Sequence, residues 1–214
     1  NAAAKRIWLS RLRLDHFRNY SEADLRIGAG QIVVLGDNGA GKTNLLEAIS
    51  MLAPGRGMRR ARGEQLAFAA AADPGHGLRR AYWAVAARLE TPDGAIDIGT
   101  GVPSESATGN RVMRLEGQTV SQADMGNRIA VSWLTPQMDG IFLDSPAARR
   151  RFLDRLVIAF DPAHIGRLSR YEKALRQRAH LLAEGGGDSA WYSALETVLA
   201  ETAVAVTAAR QSLI

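Results

Sequence analysis

Gly36, Asp37, Asn38, Gly39, Ala40, Gly41, Lys42 and Thr43 fit G-x-x-x-x-G-K-[ST] at every fixed position. Glycines at that spacing let the backbone curl so that successive N–H groups point inward at phosphate oxygens. Lys42 is then placed to reach the β- and γ-phosphates as a point charge. The Thr43 hydroxyl is placed to bind Mg²⁺, which bridges the same phosphates. The implied ligands are ATP and Mg²⁺. A chance match in a chain of this length has a probability of roughly one per cent. The competing reading, a glycine-rich turn that binds nothing, leaves unexplained why one of only three lysines (Lys5, Lys42, Lys173) stands here.

Such a loop works only between a buried strand and a helix. Residues 31–35 (QIVVL) are almost wholly apolar, the pattern of a strand buried on both faces, and run straight into Gly36. Residues 44–52 carry Leu45, Leu46, Ile49 and Leu52 at helical spacing. Ahead of them, 6–14 and 23–27 read as strands. After a Gly- and Arg-rich loop at 54–63, residues 81–89, 95–98 and 111–115 read as further strands. Glu116-Gly117-Gln118 reads as a hairpin turn, and 129–134 as a short buried strand closed by Thr135-Pro136. From residue 145 the period becomes helical. Ser145 with Pro146, Asp161 with Pro162, and Asp188 or Ser189 are start signals, and Gly185 to Gly187 is a stop. The reading is α/β: a mixed sheet around the P-loop helix over 1–140, then a helical lobe over 141–214. The last helix carries no stop signal before Ile214, which suggests a fragment of something longer.

Composition narrows the class. The chain has 214 residues, is 46% hydrophobic and has no cysteine, so a sizeable core is available and thiolate metal sites and disulfides are excluded. No apolar run approaches a membrane span, and the start lacks a signal peptide, which points to the cytoplasm and away from membranes. A net charge of +5 favours phosphate-bearing partners, although an arginine-rich composition alone would produce it. His16, His76, His164 and His180 show no metal-ligand spacing. Trp83, Trp133 and Trp191 sit on apolar faces and read as core.

Several segments together resemble one family. Phe17-Arg18-Asn19-Tyr20 looks like the "FRNY" opening of RecF proteins, and GDNGAGKTNLLEAI, with Asn38 and Asn44, looks like the loop shared by RecF and SMC-type ATPases. Ser145 to Asp154 (SPAARRRFLD) and Tyr171 to Arg178 (YEKALRQR) are similar to RecF stretches, with Ala179 where Asn is usual. These two blocks lie where SMC-type chains enter a long coiled coil, which separates RecF from an SMC head. The resemblance implies an ABC-type P-loop ATPase head that dimerises around ATP. It implies binding of single-stranded and gapped or junction DNA, and action with RecR and RecO in recombinational repair, replication restart and the SOS response. A plain P-loop kinase or GTPase is the alternative from another class, and no NKxD-like guanine motif is present.

The remaining candidates are weaker. Arg18 and Asn19, with Asn44, are read as facing the nucleotide, Arg18 toward phosphates or base; a solvated loop arginine is as good a reading. Gln137, after the 129–134 strand, stands where ABC-type ATPases place a glutamine that touches Mg²⁺ and the attacking water. Arg56, Arg59, Arg60 and Arg62 are candidate DNA-phosphate contacts, or a solvated basic loop. Arg149, Arg150 and Arg151 open a helix against its dipole and therefore need partners. Neither a carboxylate after a second apolar strand nor a Leu-Ser-Gly-Gln-like signature appears, so little ATP turnover is expected of this chain.

Overall fold

The computed structural model describes residues 7–61, 63–68, 82–106, 109–185 and 188–213. Arg62 and His76 lie outside the described residues. The chain divides into two compact units, Asn1–Trp133 and Leu134–Ile214.

The first unit is an antiparallel sheet with the phosphate-loop helix packed on one face. Strands β1 (Trp8–Phe17), β2 (Tyr20–Arg26), β3 (Trp83–Thr91), β4 (Gly94–Val102), β5 (Val112–Leu115) and β6 (Gln118–Val120) lie in the order β2-β1-β3-β4-β5-β6. Every described pairing is antiparallel. Alternation explains which face is covered. Leu12, Leu14 and Phe17 of β1 and Trp83, Val85, Ala87 and Leu89 of β3 point into the core, while Arg13, Asp15, Ala84, Ala86 and Arg88 face out. Against the inner face lies α1 (Lys42–Met51), through Leu45, Ala48 and Met51. A short helix α2 (Gly63–Leu66) follows, and Trp83 donates from its indole Nε1 to Gly63 O at 3.0 Å. β5 and β6 join through the two residues Glu116 (φ 50°) and Gly117 (φ 78°), both left-handed as a tight hairpin requires. Helix α3 (Gln122–Gly126) closes the unit.

Two predicted strands are not strands here. Residues 31–35 and 129–134 carry no regular structure, and Val33 and Leu35 are 77% and 85% exposed. An apolar run becomes a buried strand only when a neighbour offers backbone partners on its edge, and none of the described strands pairs with either run.

The second unit holds α4 (Pro146–Phe160), α5 (His164–Glu184) and α6 (Ser189–Gln211). Ser145 caps α4, its hydroxyl accepting from Ala148 N at 3.2 Å. The stop predicted after α5 is present, Gly185 with φ 63°. Asp161 does not cap α5, whose first turn begins at His164; its carboxylate pairs with Arg167 instead. Trp191, read as core, is 57% exposed on α6. One polar knot ties the three helices: His164 Nε2 lies 2.9 Å from Asp154 Oδ1, and Arg210 donates to both Asp154 oxygens at 2.7 and 2.8 Å. Burial pushes the Asp154 carboxyl up, but the hydrogen bonds from Arg210 and His164 and their charge outweigh it and hold it below the ordinary aspartate value. At the N-terminal end of α4, Arg149 finds the partners its position demands in two backbone carbonyls, Asp144 O at 2.6 Å and Phe142 O at 3.3 Å.

Candidate nucleotide-binding site

The loop 36–43 curls through left-handed glycines. Gly36, Gly39 and Gly41 have φ of 151°, 89° and 100°. Gly41 is the N-cap of α1, and no side chain caps the helix. The first turn of a ten-residue helix is therefore left with donors and a positive end facing the loop. Glycine is required at 41 for φ 100°, and a Cβ there would displace the Asn19 amide and the Tyr20 hydroxyl from the loop. Lys42 Nζ donates to Gly36 O at 2.7 Å and Asp37 O at 2.8 Å, closing the loop on itself. Its third proton remains for an anion. Thr43 is exposed at the start of the helix. These residues suit a triphosphate with its Mg²⁺, the ion being carried by phosphates and a hydroxyl rather than by a protein cage. Among the described residues no group of three or more His, Cys, Asp and Glu could hold a metal ion.

The β1–β2 hairpin reaches the same place. Phe17 pairs with Tyr20, so Arg18 and Asn19 form the hairpin tip. Asn19 donates to Ala40 O at 3.4 Å and accepts from Asn44 Nδ2 at 2.8 Å; the Tyr20 hydroxyl donates to Gly41 O at 3.2 Å. Asn19 and Asn44 thus meet beside the loop.

Arg18 does something else. With φ 57° its side chain turns to Glu47, donating from Nε and Nη2 at 2.8 Å each, and to Gln65 O at 2.7 Å. Its side chain is 20% exposed and held by Glu47. Glu47 is 1% exposed, one helical turn beyond Thr43, and a buried carboxylate claims a nearby guanidinium before any solvent-facing ligand can. Arg59 completes the cluster, donating to Asn44 Oδ1 at 2.8 Å and Glu47 Oε2 at 3.3 Å. Arg59 is therefore committed in part to the site, whereas Arg56 and Arg60 are exposed and without a described partner. Glu47 was missed in the sequence; the signal available was an acid set among Leu45, Ala48 and Met51 on the inner face of a helix. Gln137 is exposed in a short 3-10 turn, Pro136–Met138, in the second unit.

The RecF/RecN/SMC N terminal domain family matches residues 8–197. The chain belongs to that family. It is 48% identical over 207 residues to the DNA replication and repair protein RecF of Mesorhizobium japonicum, covering 96% of this chain and 52% of that protein. It is 42% identical to the RecF of Rhizobium johnstonii, over 98% of this chain and 54% of the relative. The chain therefore spans about half the length of the curated relatives it matches. A solved structure of the recombination mediator protein RecF with ATP superposes with a TM-score of 0.81 at 25% identity, over all of this chain and 56% of that one. An SMC ATPase structure shares the fold, with a TM-score of 0.51 at 21% identity over 70% of this chain. The fold is that of an ABC-type ATPase head with a helical region, and the likeness to RecF read from the FRNY, SPAARRRFLD and YEKALRQR segments is borne out. Among the described residues no helix is long and apolar enough to cross a membrane.

Proposed function

We propose that this chain is the nucleotide-binding part of an ATP-dependent DNA-binding protein of recombinational repair and replication restart. The observation that carries the ATP reading is the closed loop at 36–43, with Lys42 aligned on Gly36 O and Asp37 O and Asn19 and Tyr20 donating to Ala40 O and Gly41 O. A RecF solved with ATP has this fold, and the curated relatives are named DNA replication and repair proteins. Loop amides and the start of α1 would hold the phosphates, Lys42 would neutralise the β- and γ-oxygens, and Thr43 would hold the Mg²⁺ that bridges them. Arg56, Arg60 and, where Glu47 leaves it free, Arg59 would meet DNA phosphates without reading sequence. A cytoplasmic, ATP-dependent homodimer on gapped or junction DNA, acting with RecR and RecO, completes the proposal.

DNA binding with and without ATP separates this reading from a P-loop hydrolase unrelated to DNA. Gapped, duplex and single-stranded oligonucleotides are titrated with the chain in Mg·ATP, Mg·ADP and no nucleotide. Tighter binding to gapped DNA in Mg·ATP supports the proposal. Nucleotide binding with no DNA binding under any condition overturns it in favour of the hydrolase.

A further inference from the structure

Arg111 stands just before β5 and carries a partly buried guanidinium that faces no carboxylate among the described residues. Its partners are backbone and hydroxyl oxygens. Nε donates to Thr100 Oγ1 at 2.6 Å, Nη1 to Gly55 O, and Nη2 to Met51 O and, at 3.2 Å, to Ala53 O. Three of these acceptors are consecutive odd carbonyls, 51, 53 and 55, at the C-terminal end of α1 and in the loop that follows. The guanidinium charge is compensated by the negative end of the phosphate-loop helix. Burial lowers its pKa to about 10, so it stays charged at neutral pH.

The loop around Arg111 is also held at Gly55 and Met58. Gly55 N donates to Gln122 Oε1 at 3.0 Å, and Met58 N to the buried Ser50 hydroxyl at 2.8 Å. Ser50 in turn donates to Glu47 O at 2.7 Å. The next residue is Arg59, whose guanidinium donates to Asn44 in the first turn of α1, next to Thr43, and to Glu47 further along the helix. A single side chain just ahead of β5 thus meets the start of a loop that doubles back along the helix to Arg59.

We propose that Arg111 is a positioning residue for the phosphate site: it templates the loop 52–58 and, through Arg59, fixes the first turn of α1. The inference rests on the reading of 36–43 as a nucleotide site. A planar fork with five donors can span Thr100 and three carbonyls at once, whereas an ammonium cannot.

The test uses the full chain as wild type, R111K, R111M, R59M and R111M/R59M. Mg·ATP affinity is measured by calorimetry well below each variant's Tm, and backbone amide hydrogen exchange is read at Gly55 and Met58. R111M weakens ATP at least about tenfold, the scale of one lost charged hydrogen bond, and speeds exchange at Gly55 and Met58 while β1 and β3 stay protected. R111K falls between. In the R59M background the further loss from R111M shrinks to about twofold or less, because the two act in series. A full tenfold loss in that background, or exchange that quickens equally in β1 and β3, overturns the proposal in favour of general destabilisation. If R111M does not fold, R111K carries the same comparisons. If the wild-type chain binds no ATP, the nucleotide reading falls and exchange alone decides the anchor: faster exchange confined to Gly55 and Met58 supports it, and unchanged protection there overturns it.

Discussion

Glu47 buries a carboxylate beneath the phosphate loop, and such a group is tolerable only because Arg18 and Arg59 both donate to it. Glu47→Gln keeps the shape and removes the charge, leaving two guanidiniums without their anion. The variant is expected to lose about 3 kcal/mol of stability, the scale for breaking a buried pair, seen as a lower midpoint in urea at unchanged slope. A midpoint equal to wild type would mean that the cluster relaxes into solvent at no cost. Lys42 belongs to the opposite class, since its contacts are to Gly36 O and Asp37 O at the surface. Lys42→Ala is expected to leave the circular dichroism spectrum intact and to weaken ATP binding by about 2 kcal/mol or more, some thirtyfold in Kd. Equal affinity in the mutant, measured by calorimetry, would remove Lys42 from the phosphate site. Lys42 was legible because its motif is local. Glu47 and Arg111 were not, because their partners lie 29 residues away for Arg18, and 56 and 60 residues away for Gly55 and Met51.

Among the elements, the β1–β2 hairpin and the loop 54–61 divide the arginines between two tasks. The hairpin tip and Arg59 turn inward on α1, while Arg56 and Arg60 remain exposed, Arg60 with φ 55°. Arg56→Glu with Arg60→Glu should therefore reduce the salt slope of log K for DNA by about two units, one per phosphate contact removed. The complementary result is an unchanged slope in a filter or anisotropy titration across salt, which would make these arginines surface solvation only. The same contrast explains what could be read ahead of the structure. β3 alternates cleanly between core and solvent, and Ser145-Pro146 announces α4, so both were visible as local patterns. Residues 31–35 satisfied the local pattern of a strand equally well, but pairing is a property of two segments and their own sequence carries only one of them.

At the scale of the molecule, the loop, Lys42 and Thr43, in the roles proposed for them, would supply half of what phosphoryl transfer requires. A carboxylate to orient water and a second set of groups on the far side of the γ-phosphate are the other half. No such carboxylate follows the 129–134 run, which closes in Thr135-Pro136. The chain is expected to turn over ATP near the uncatalysed rate, read as phosphate release over hours. Steady release that disappears in Lys42→Ala would point to an overlooked carboxylate such as Asp139 or Asp144. One further property follows from the bare run that leads into Gly36. Ile32, Val33 and Leu35 are 57%, 77% and 85% exposed, and among the described residues their backbone is in no strand pairing. Short β-prone apolar segments in that state recruit one another between molecules. Solutions of this chain should therefore light up a hydrophobic dye such as ANS and scatter more light as they are concentrated. Val33→Lys should lower both signals while leaving the helix content untouched, the remainder coming from other exposed apolar side chains such as Leu134, Phe142 and Leu143.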